Sequence, residues 1–207
     1  MSHDKRWIVT ADEGNESILV VWDSMAGTPV KTIFSPHPNG SIALDMTRDS
    51  LFIAVLTSFS SESPQEVMIF GWTREGGEVP LFRERVKGGA DPQHSVCFDV
   101  SQQLELATTG NASTTFWNWD SFHLEGYAVQ KPSAIKGALT CTVFIPNSGA
   151  AITSSEDGHI VVWESEFSTI YIDNPTKDTK VMRSSTKVRF LQLKRIQKID
   201  YIMHVSL

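Results

Sequence analysis

The sequence lacks the apolar segments that would insert it into a membrane or direct it across one. No uninterrupted apolar run approaches the ~20 residues that a membrane-spanning helix needs. The N-terminus, residues 1–6, is charged where a signal peptide would be apolar. We therefore expect an intracellular, cytoplasmic protein that makes no contact with a membrane.

Cysteine is scarce, and no residues have the spacing of a metal site. The two cysteines, Cys97 and Cys141, predict buried thiols that behave as small apolar residues rather than a disulfide. The six histidines are scattered without ligand spacing, and Cys-x-x-Cys is absent. Residues 173–178 resemble a calcium loop only superficially, because the central glycine and the closing glutamate are missing. We predict no metal and no cofactor.

Catalytic motifs are also missing. The sequence contains no Gly-x-Ser-x-Gly elbow, no His-Glu-x-x-His and no phosphate-binding glycine loop. We therefore predict no catalytic residues and a protein that is not an enzyme.

Positive charge is in deficit over most of the chain. The net charge of −6 argues against nucleic acid as a partner, because a surface that follows phosphates is usually basic. Residues 177–198 are the exception, with eight Lys or Arg residues and one acid. This predicts a basic, non-repeat tail at 176–207, either solvated or in contact with an acidic partner such as tubulin or nucleic acid. Apolar residues spaced mostly by three in 187–207 predict an amphipathic helix there, which packs on the exposed edge or binds a partner.

The strongest positive signal is a repeat built around tryptophan. Four tryptophans recur at intervals of 50, 47 and 44 residues: Trp22, Trp72, Trp119 and Trp163. Aspartate follows two of them, at Asp23 and Asp120. A period of about 40–45 residues with a Trp-Asp ending is typical of the WD40 repeat. In such a repeat each tryptophan is a core aromatic packed between neighbouring sheets.

The fourth repeat, residues 152–163, resembles the second and third strands of a WD40 blade, with Asp157 and Gly158 as the turn. The resemblance implies a buried hydrogen-bonded tetrad of aspartate, serine or threonine, tryptophan and histidine. Its members here are Asp157, Trp163 and either Ser154 or Ser155, and the histidine place falls near Gly137. His37 and His94 precede two innermost strands and are candidates for the histidine of their own repeats.

The predicted fold is an all-β WD40 β-propeller of about four blades over residues 1–175. Innermost strands are expected at residues 42–46, 95–100 and 139–145, and outermost strands at 30–34, 79–86 and 123–129. Because residues 7–10 already read as the second strand of a blade, the propeller is predicted to be incomplete and open, either a truncated isoform or a fragment. Unpaired strand edges aggregate, so we expect the isolated chain to be poorly soluble.

The residues within the repeats resemble one particular family and not only the general fold. A set of short stretches closely resembles the WD-repeat cilia- and flagella-associated proteins of the calmodulin- and spoke-associated complex: residues 7–24, 27–30, 37–40, 43–45, 93–96, 116–119 and 155–163. That resemblance covers about residues 1–175.

The resemblance implies a scaffold of the cytoskeleton, at the base of a radial spoke on the axonemal doublet microtubule, where it helps spokes pass signals to dynein. Its partners would be other axonemal proteins. The alternative is a general intracellular WD40 adaptor that binds short peptides in another multiprotein complex. In either case we expect the partner-binding loops at residues 57–65, 74–80, 87–92 and 130–137.

Overall fold

The computed structural model describes residues 1–14, 16–61, 63–87, 90–101, 104–120, 122–164 and 171–173. These residues form four antiparallel sheets from fifteen strands, with no helix among them. A helix able to cross a membrane is accordingly not found in this part of the chain. The predicted all-β fold is confirmed. The predicted helix at 187–207 lies outside the described residues.

Each sheet is one blade, numbered in chain order, and successive strands pair antiparallel. Blade 1 consists of Trp7–Ala11 (β1), Ile18–Asp23 (β2) and Thr28–Phe34 (β3). Blade 2 consists of Ser41–Met46 (β4), Ile53–Thr57 (β5), Glu66–Phe70 (β6) and Phe82–Arg85 (β7). Blade 3 consists of Gln93–Phe98 (β8), Glu105–Gly110 (β9), Ser113–Trp119 (β10) and Leu124–Gln130 (β11). Blade 4 consists of Leu139–Ile145 (β12), Ala150–Ser155 (β13), Ile160–Glu164 (β14) and Tyr171–Asp173 (β15).

The middle strands are apolar along their length because both of their faces are covered. All five residues of β5 are buried, as are residues 67–70 of β6. The outer strands β7 and β11 are instead mostly half-buried or exposed. The predicted outer strand at 79–86 is shorter in the structure, because hydrogen-bonded turns extend from Gly71 to Val79.

In every blade one pair of neighbouring strands has the same register: β1–β2, β5–β6, β9–β10 and β13–β14. One face of each blade, which we name the front face, carries the cross-strand pairs Ile8–Trp22, Ile53–Phe70, Leu106–Trp117 and Ala151–Trp163. The opposite face, the back face, carries the pairs Val9–Val21, Ala54–Ile69, Ala107–Phe116 and Ile152–Val162. The repeat seen in the sequence is therefore a repeat of strand register.

This register places Trp72 and Trp119 two residues beyond the position that Trp22 and Trp163 occupy. The residues at that position are Trp22, Phe70, Trp117 and Trp163, at intervals of 48, 47 and 46 residues. In blades 2 and 3 the sequence pattern therefore pointed to a tryptophan that lies two residues after the equivalent position. Blade 2 has phenylalanine at this position, and blade 3 has tryptophans at both 117 and 119.

The core consists of contacts between blades, with each back face packed on the next front face. Three apolar clusters make these contacts: Val9 and Val21 with Ile53 and Phe70, Ala54 and Ile69 with Leu106 and Trp117, and Phe116 with Ala151 and Trp163. Burying an apolar side chain of this size stabilises the fold by about 1.5–3 kcal/mol. No such cluster of described residues joins blade 4 to blade 1, so the propeller is open, as predicted.

The two cysteines form no disulfide, as expected, but they are less buried than expected. Both are free thiols, but Cys97 is half-buried and Cys141 is exposed. Cys141 lies on β12, the innermost strand of blade 4, at the register shift between Leu139 and Cys141. The innermost strands have no further strand beside them within the described residues, so alternate side chains meet solvent.

Candidate interaction surface

Hydrogen bonds hold the front-face tryptophan in three of the four blades. In each, the indole Nε1 donates to a threonine Oγ1 at 2.8–3.0 Å: Trp22 to Thr10, Trp117 to Thr108, and Trp163 to Thr153. Blade 2 has Phe70 and Val55 in these two places. Replacing both polar partners together leaves no buried group unpaired, so blade 2 packs without the bond.

In blade 4 this bond continues into a chain of buried hydroxyls. Thr153 Oγ1 lies 2.6 Å from Thr142 Oγ1, which lies 2.7 Å from Thr109 Oγ1 in blade 3. The serine or threonine that meets Trp163 is therefore Thr153, and not Ser154 or Ser155 as expected. Side chains alternate along a strand, so Ser154 points to the opposite face and pairs with Thr140.

Asp157 joins the β13–β14 turn to the connection that precedes blade 4. Its Oδ2 accepts the backbone N–H groups of Gly137 and Lys136 at 3.0 and 3.1 Å, and its Oδ1 accepts Ser155 Oγ at 2.6 Å. The Ser155 bond, followed by the Gly137 bond, holds the pKa of Asp157 well below its usual range. At Gly137 a Cβ would lie 2.8 Å from Asp157 N, so glycine permits this approach. Backbone donors thus take the place expected for a histidine near Gly137, and His159 Nδ1, from the turn itself, lies 2.9 Å from Asp157 Oδ1.

Blade 3 also bonds a turn to the preceding connection, but here the aspartate lies in the connection and the donors lie at the turn. Asp91, in the connection before β8, accepts Ala112 N at 3.0 Å and Ser113 Oγ at 2.7 Å from the β9–β10 turn. Buried Gln65 then ties blade 2 to blade 3, because its amide Nε2 donates to Gln93 O and its Oε1 accepts Gln93 N.

In the connection between blades 1 and 2, a buried histidine contacts blade 2. His37 is 2 % exposed, and its Nε2 lies 3.4 Å from Glu66 Oε2. Burial lowers the pKa of His37, more than the Glu66 carboxylate raises it. Glu66 also pairs with Arg83. His94 is exposed, and its Nε2 lies 3.2 Å from Leu139 O in blade 4.

The two aspartates that follow tryptophan in the sequence close turns. Asp23 Oδ1 accepts the N–H groups of Met25 and Ala26, and Arg6 donates to its Oδ2 at 3.1 Å. Asp120 Oδ1 likewise accepts the N–H groups two and three residues later in the chain. These backbone bonds lower the pKa of both carboxyls. Both side chains organise local backbone.

Trp72 and Trp119 also pack in the core. Trp72 Nε1 donates to Ser50 O at 2.7 Å, and the Trp72 ring lies edge-on to Trp7 at 5.2 Å. Trp119 stacks edge-on against Phe52 at 4.8 Å.

A cleft of about 740 Å³ opens along the innermost strands. Its floor is largely apolar and includes Val96, Phe98, Val143, Ile145 and Ile152, while the N-terminus at Met1, Lys5 and Arg48 bring basic groups to its rim. Asp45 lies in it, and its carboxylate accepts Phe98 N at 2.8 Å. Burial raises the pKa of Asp45, and burial, followed by the charge of Asp45, raises the pKa of Cys97. The thiol of Cys97 donates to Thr142 O at 3.0 Å.

The four predicted loops connect blades or strands at the rim. Residues 74–80 form an exposed turn with Val79 66 % exposed, and Glu78 of this turn pairs with Lys31 of blade 1. In the first loop, Gln65 is buried and forms the junction with blade 3, so it is not part of the surface open to a partner. Within the described residues no group of three His, Cys, Asp or Glu side chains could hold a metal ion.

The fold belongs to the WD40 β-propeller class. The structure superposes with a TM-score of 0.67 on the β-propeller domain of Cps50 (Swd1) from Myceliophteria thermophila, at 10 % identity, covering 84 % of this chain and 53 % of that one. It superposes with a TM-score of 0.64 on the WD40 repeats of RRP9, at 14 % identity, covering 83 % of this chain and 48 % of that one.

Sequence comparison identifies the family. Residues 1–205 match the CFAP251 N-terminal domain, and the chain belongs to this family. It is 37 % identical over 172 residues to cilia- and flagella-associated protein 251 of Tetrahymena thermophila, covering 81 % of this chain and 17 % of the relative. The protein of the same name from Chlamydomonas reinhardtii is 28 % identical over 200 residues, covering 88 % of this chain and 24 % of the relative. The chain thus spans less than a quarter of the length of these relatives.

Proposed function

We propose that this chain is a non-catalytic scaffold in the axoneme of cilia and flagella, at the base of a radial spoke, where it supports cilium movement. The observation that carries this proposal is its membership of a family whose relatives are named cilia- and flagella-associated proteins. The proposed partners are radial spoke and spoke-associated complex subunits, with the doublet microtubule as a further candidate. Neither nucleic acid nor a membrane is among them.

The geometry of the polar groups supports a binding role. Gln65 is occupied in bonds that join adjacent blades. Asp157 and Asp91 each bond a turn of a blade to the connection before that blade, and Asp23 and Asp120 close turns. These polar side chains therefore stabilise the fold. The surface that remains for a partner is the rim of loops and the cleft, as in a protein that binds other proteins.

The test is the location of the tagged chain in cells with motile cilia. We expect axonemal signal and co-purification of radial spoke proteins. Diffuse cytosolic signal, with no spoke protein recovered, contradicts the proposal.

Two matched variants identify the contact surface in the same experiment. Val79→Lys changes the exposed turn at the rim, and Tyr127→Lys changes an equally exposed position on the outer strand β11. We expect Val79→Lys to reduce the recovery of spoke proteins at least threefold and Tyr127→Lys to leave it unchanged. Equal loss in both variants would point to unfolding or to a different surface.

The cleft favours one alternative, a general adaptor that binds short peptides. Its apolar floor and basic rim suit an extended peptide with an apolar anchor and an acidic flank. Val143→Asp on the floor would abolish capture of such peptides by the purified chain. Recovery of non-ciliary complexes that is lost in Val143→Asp would favour the adaptor over the axonemal scaffold.

A further inference from the structure

Two strands of neighbouring blades run side by side along the cleft. They are the innermost strands of blades 3 and 4, β8 and β12, and Cα atoms of the two strands lie within 8 Å of each other. His94 Nε2 lies 3.2 Å from Leu139 O, and Cys97 Sγ donates to Thr142 O at 3.0 Å. Both contacts join residues that are 45 positions apart in the chain, so the strands run in the same direction and keep one alignment.

This alignment brings together the two cysteines of the chain. Cys141 immediately precedes Thr142, and its Sγ lies 3.7 Å from the same Thr142 oxygen that Cys97 Sγ contacts. Both cysteines line the cleft as free thiols, Cys97 half-buried and Cys141 exposed. Two thiols that converge on one atom form a site that neither thiol forms alone.

We propose that Cys97 and Cys141 are a modification site, a dithiol that a low-molecular-weight disulfide of the glutathione class converts into a disulfide bond between blades 3 and 4. A disulfide needs Cα atoms about 4.4–6.8 Å apart, a spacing found between strands in direct contact. In a reducing compartment such a bond is transient and responds to the redox state. This site is independent of the axonemal role proposed above.

The exchange begins at Cys141, because its side chain is exposed. Its thiolate attacks one sulfur of the low-molecular-weight disulfide RSSR, the S–S bond of RSSR breaks, and the departing RS⁻ takes up the proton that Cys141 lost. Cys97 then loses its proton, attacks Cys141 Sγ and displaces the second RS⁻, which takes up that proton. The two cysteine thiols are oxidised to one disulfide, and RSSR is reduced to two RSH.

The surroundings of the two thiols make this exchange slow at neutral pH. Burial raises the pKa of Cys141, and burial, followed by the charge of Asp45, raises the pKa of Cys97. The thiolate is the attacking form, so little of either cysteine is reactive at any moment. The pair therefore responds to prolonged exposure to the oxidant and not to a brief one.

The first test treats the full chain, in dilute solution, with oxidised glutathione until no further change occurs. Mass spectrometry after alkylation should show that both thiols are lost, that no glutathione is retained, and that peptides containing Cys97 and Cys141 are linked. Cys97→Ser should instead retain one glutathionyl group at Cys141, because the second attacking thiol is absent. A natural chain that keeps both thiols, or that ends as a stable glutathione adduct or an interchain disulfide, overturns the proposal.

A matched control moves the thiol by one residue on β12. Cys141→Ser combined with Thr140→Cys places a thiol at another exposed position, where Thr140 Oγ1 lies 2.7 Å from Ser154 Oγ. We expect this variant to keep a glutathione adduct and to form no intrachain disulfide. Circular dichroism shows whether it is folded. A disulfide yield equal to that of the natural chain in the folded control overturns the proposed pairing, since position would then not matter.

The second test measures what the bond does to the junction between blades 3 and 4. Oxidation should slow hydrogen exchange in β8 and β12 about threefold or more, because a covalent bond then limits local opening. Exchange in β5 of blade 2 should not change, and dithiothreitol should restore the original rates in β8 and β12. Equal exchange in the oxidised and the reduced chain overturns the proposed link between the blades.

Discussion

The indole Nε1 of Trp163 donates a 2.8 Å hydrogen bond to Oγ1 of Thr153, and both residues are buried between blades 3 and 4. The same pair of positions is hydrogen-bonded in blades 1 and 3 and apolar in blade 2. A buried polar group costs free energy once its partner is lost, whereas an apolar pair of similar shape does not. Because this chain contains both the hydrogen-bonded pair and the apolar pair, substitutions can test this rule.

Thr153→Val should lower the free energy of unfolding by about 1–3 kcal/mol, because it leaves the indole N–H of Trp163 without a partner and removes one of the two hydroxyl partners of Thr142. Thr153→Ser keeps the hydroxyl and should cost less. Thr10→Val in blade 1 is the matched control, since Trp22 there is only half-buried. Urea denaturation followed by tryptophan fluorescence measures all three. Equal effects at Thr153 and Thr10 would contradict the role of burial.

Gly126→Ala should destabilise the protein by about 1–3 kcal/mol through overpacking. A Cβ at this position would lie 2.6 Å from ring atoms of Trp117, which is buried. In a double-mutant cycle, Trp117→Leu should relieve the clash, so the two costs should not add. Chemical denaturation of the two single variants and the double variant checks this. Strict additivity would show that the ring is free to move aside.

Gln65→Ala should weaken the junction between blades 2 and 3 by about 2–4 kcal/mol, since three buried hydrogen bonds are lost together. Hydrogen exchange should rise in β5 and β8 more than in β13. Gln130→Ala, on an exposed part of β11, serves as the control. Faster exchange spread uniformly over all blades would argue against a local junction.

The stability of the blade 3–4 junction should depend on acid pH. The bonds from Ser155 and Gly137 depress the pKa of Asp157 from an ordinary value of 3.8, so its contribution is complete above about pH 4 and is lost as the pH falls further. The difference in the free energy of unfolding between the natural chain and Asp157→Asn should therefore be largest at neutral pH and shrink below pH 3.8. A difference that stays constant from pH 7 to the acid range would refute this assignment, since protonation would then have no effect.

Much of the fold could be predicted from local pattern. The inner strand predicted at residues 139–145 matches β12, and the Asp157–Gly158 turn lies where expected, with a φ of 82° at Gly158. Strand existence follows from β-branched runs and turn residues, which are close in sequence. The predicted outer strand at 79–86 was too long, because the hydrogen bonds from Gly77 N to Arg74 O and from Val79 N to Gly76 O form turns that composition does not reveal.

The candidate site was less predictable, because its partners are distant in sequence. Thr153, and not Ser154, accepts the hydrogen bond of Trp163. Asp91 and Asp157 both bond a turn to the connection before their blade, but Asp91 lies in the connection and Asp157 in the turn. A residue type alone does not show which face of a strand it is on once the register shifts by one. The alternation of buried positions on β13 is the one signal that could have favoured Thr153.

The sequence by itself determined the class of fold and the number of repeats, because turn chemistry and β-strand patterning act within a few residues. Only the tertiary structure decided which aromatic of each repeat packs between blades, because that depends on strand register. Phe70 and Trp117, and not Trp72 and Trp119, lie at the position of Trp163. Phe70, Trp117 and Trp163 are the aromatics that are buried against the preceding blade. Among the described residues, Trp22 is the one aromatic at this position that has no preceding blade over it.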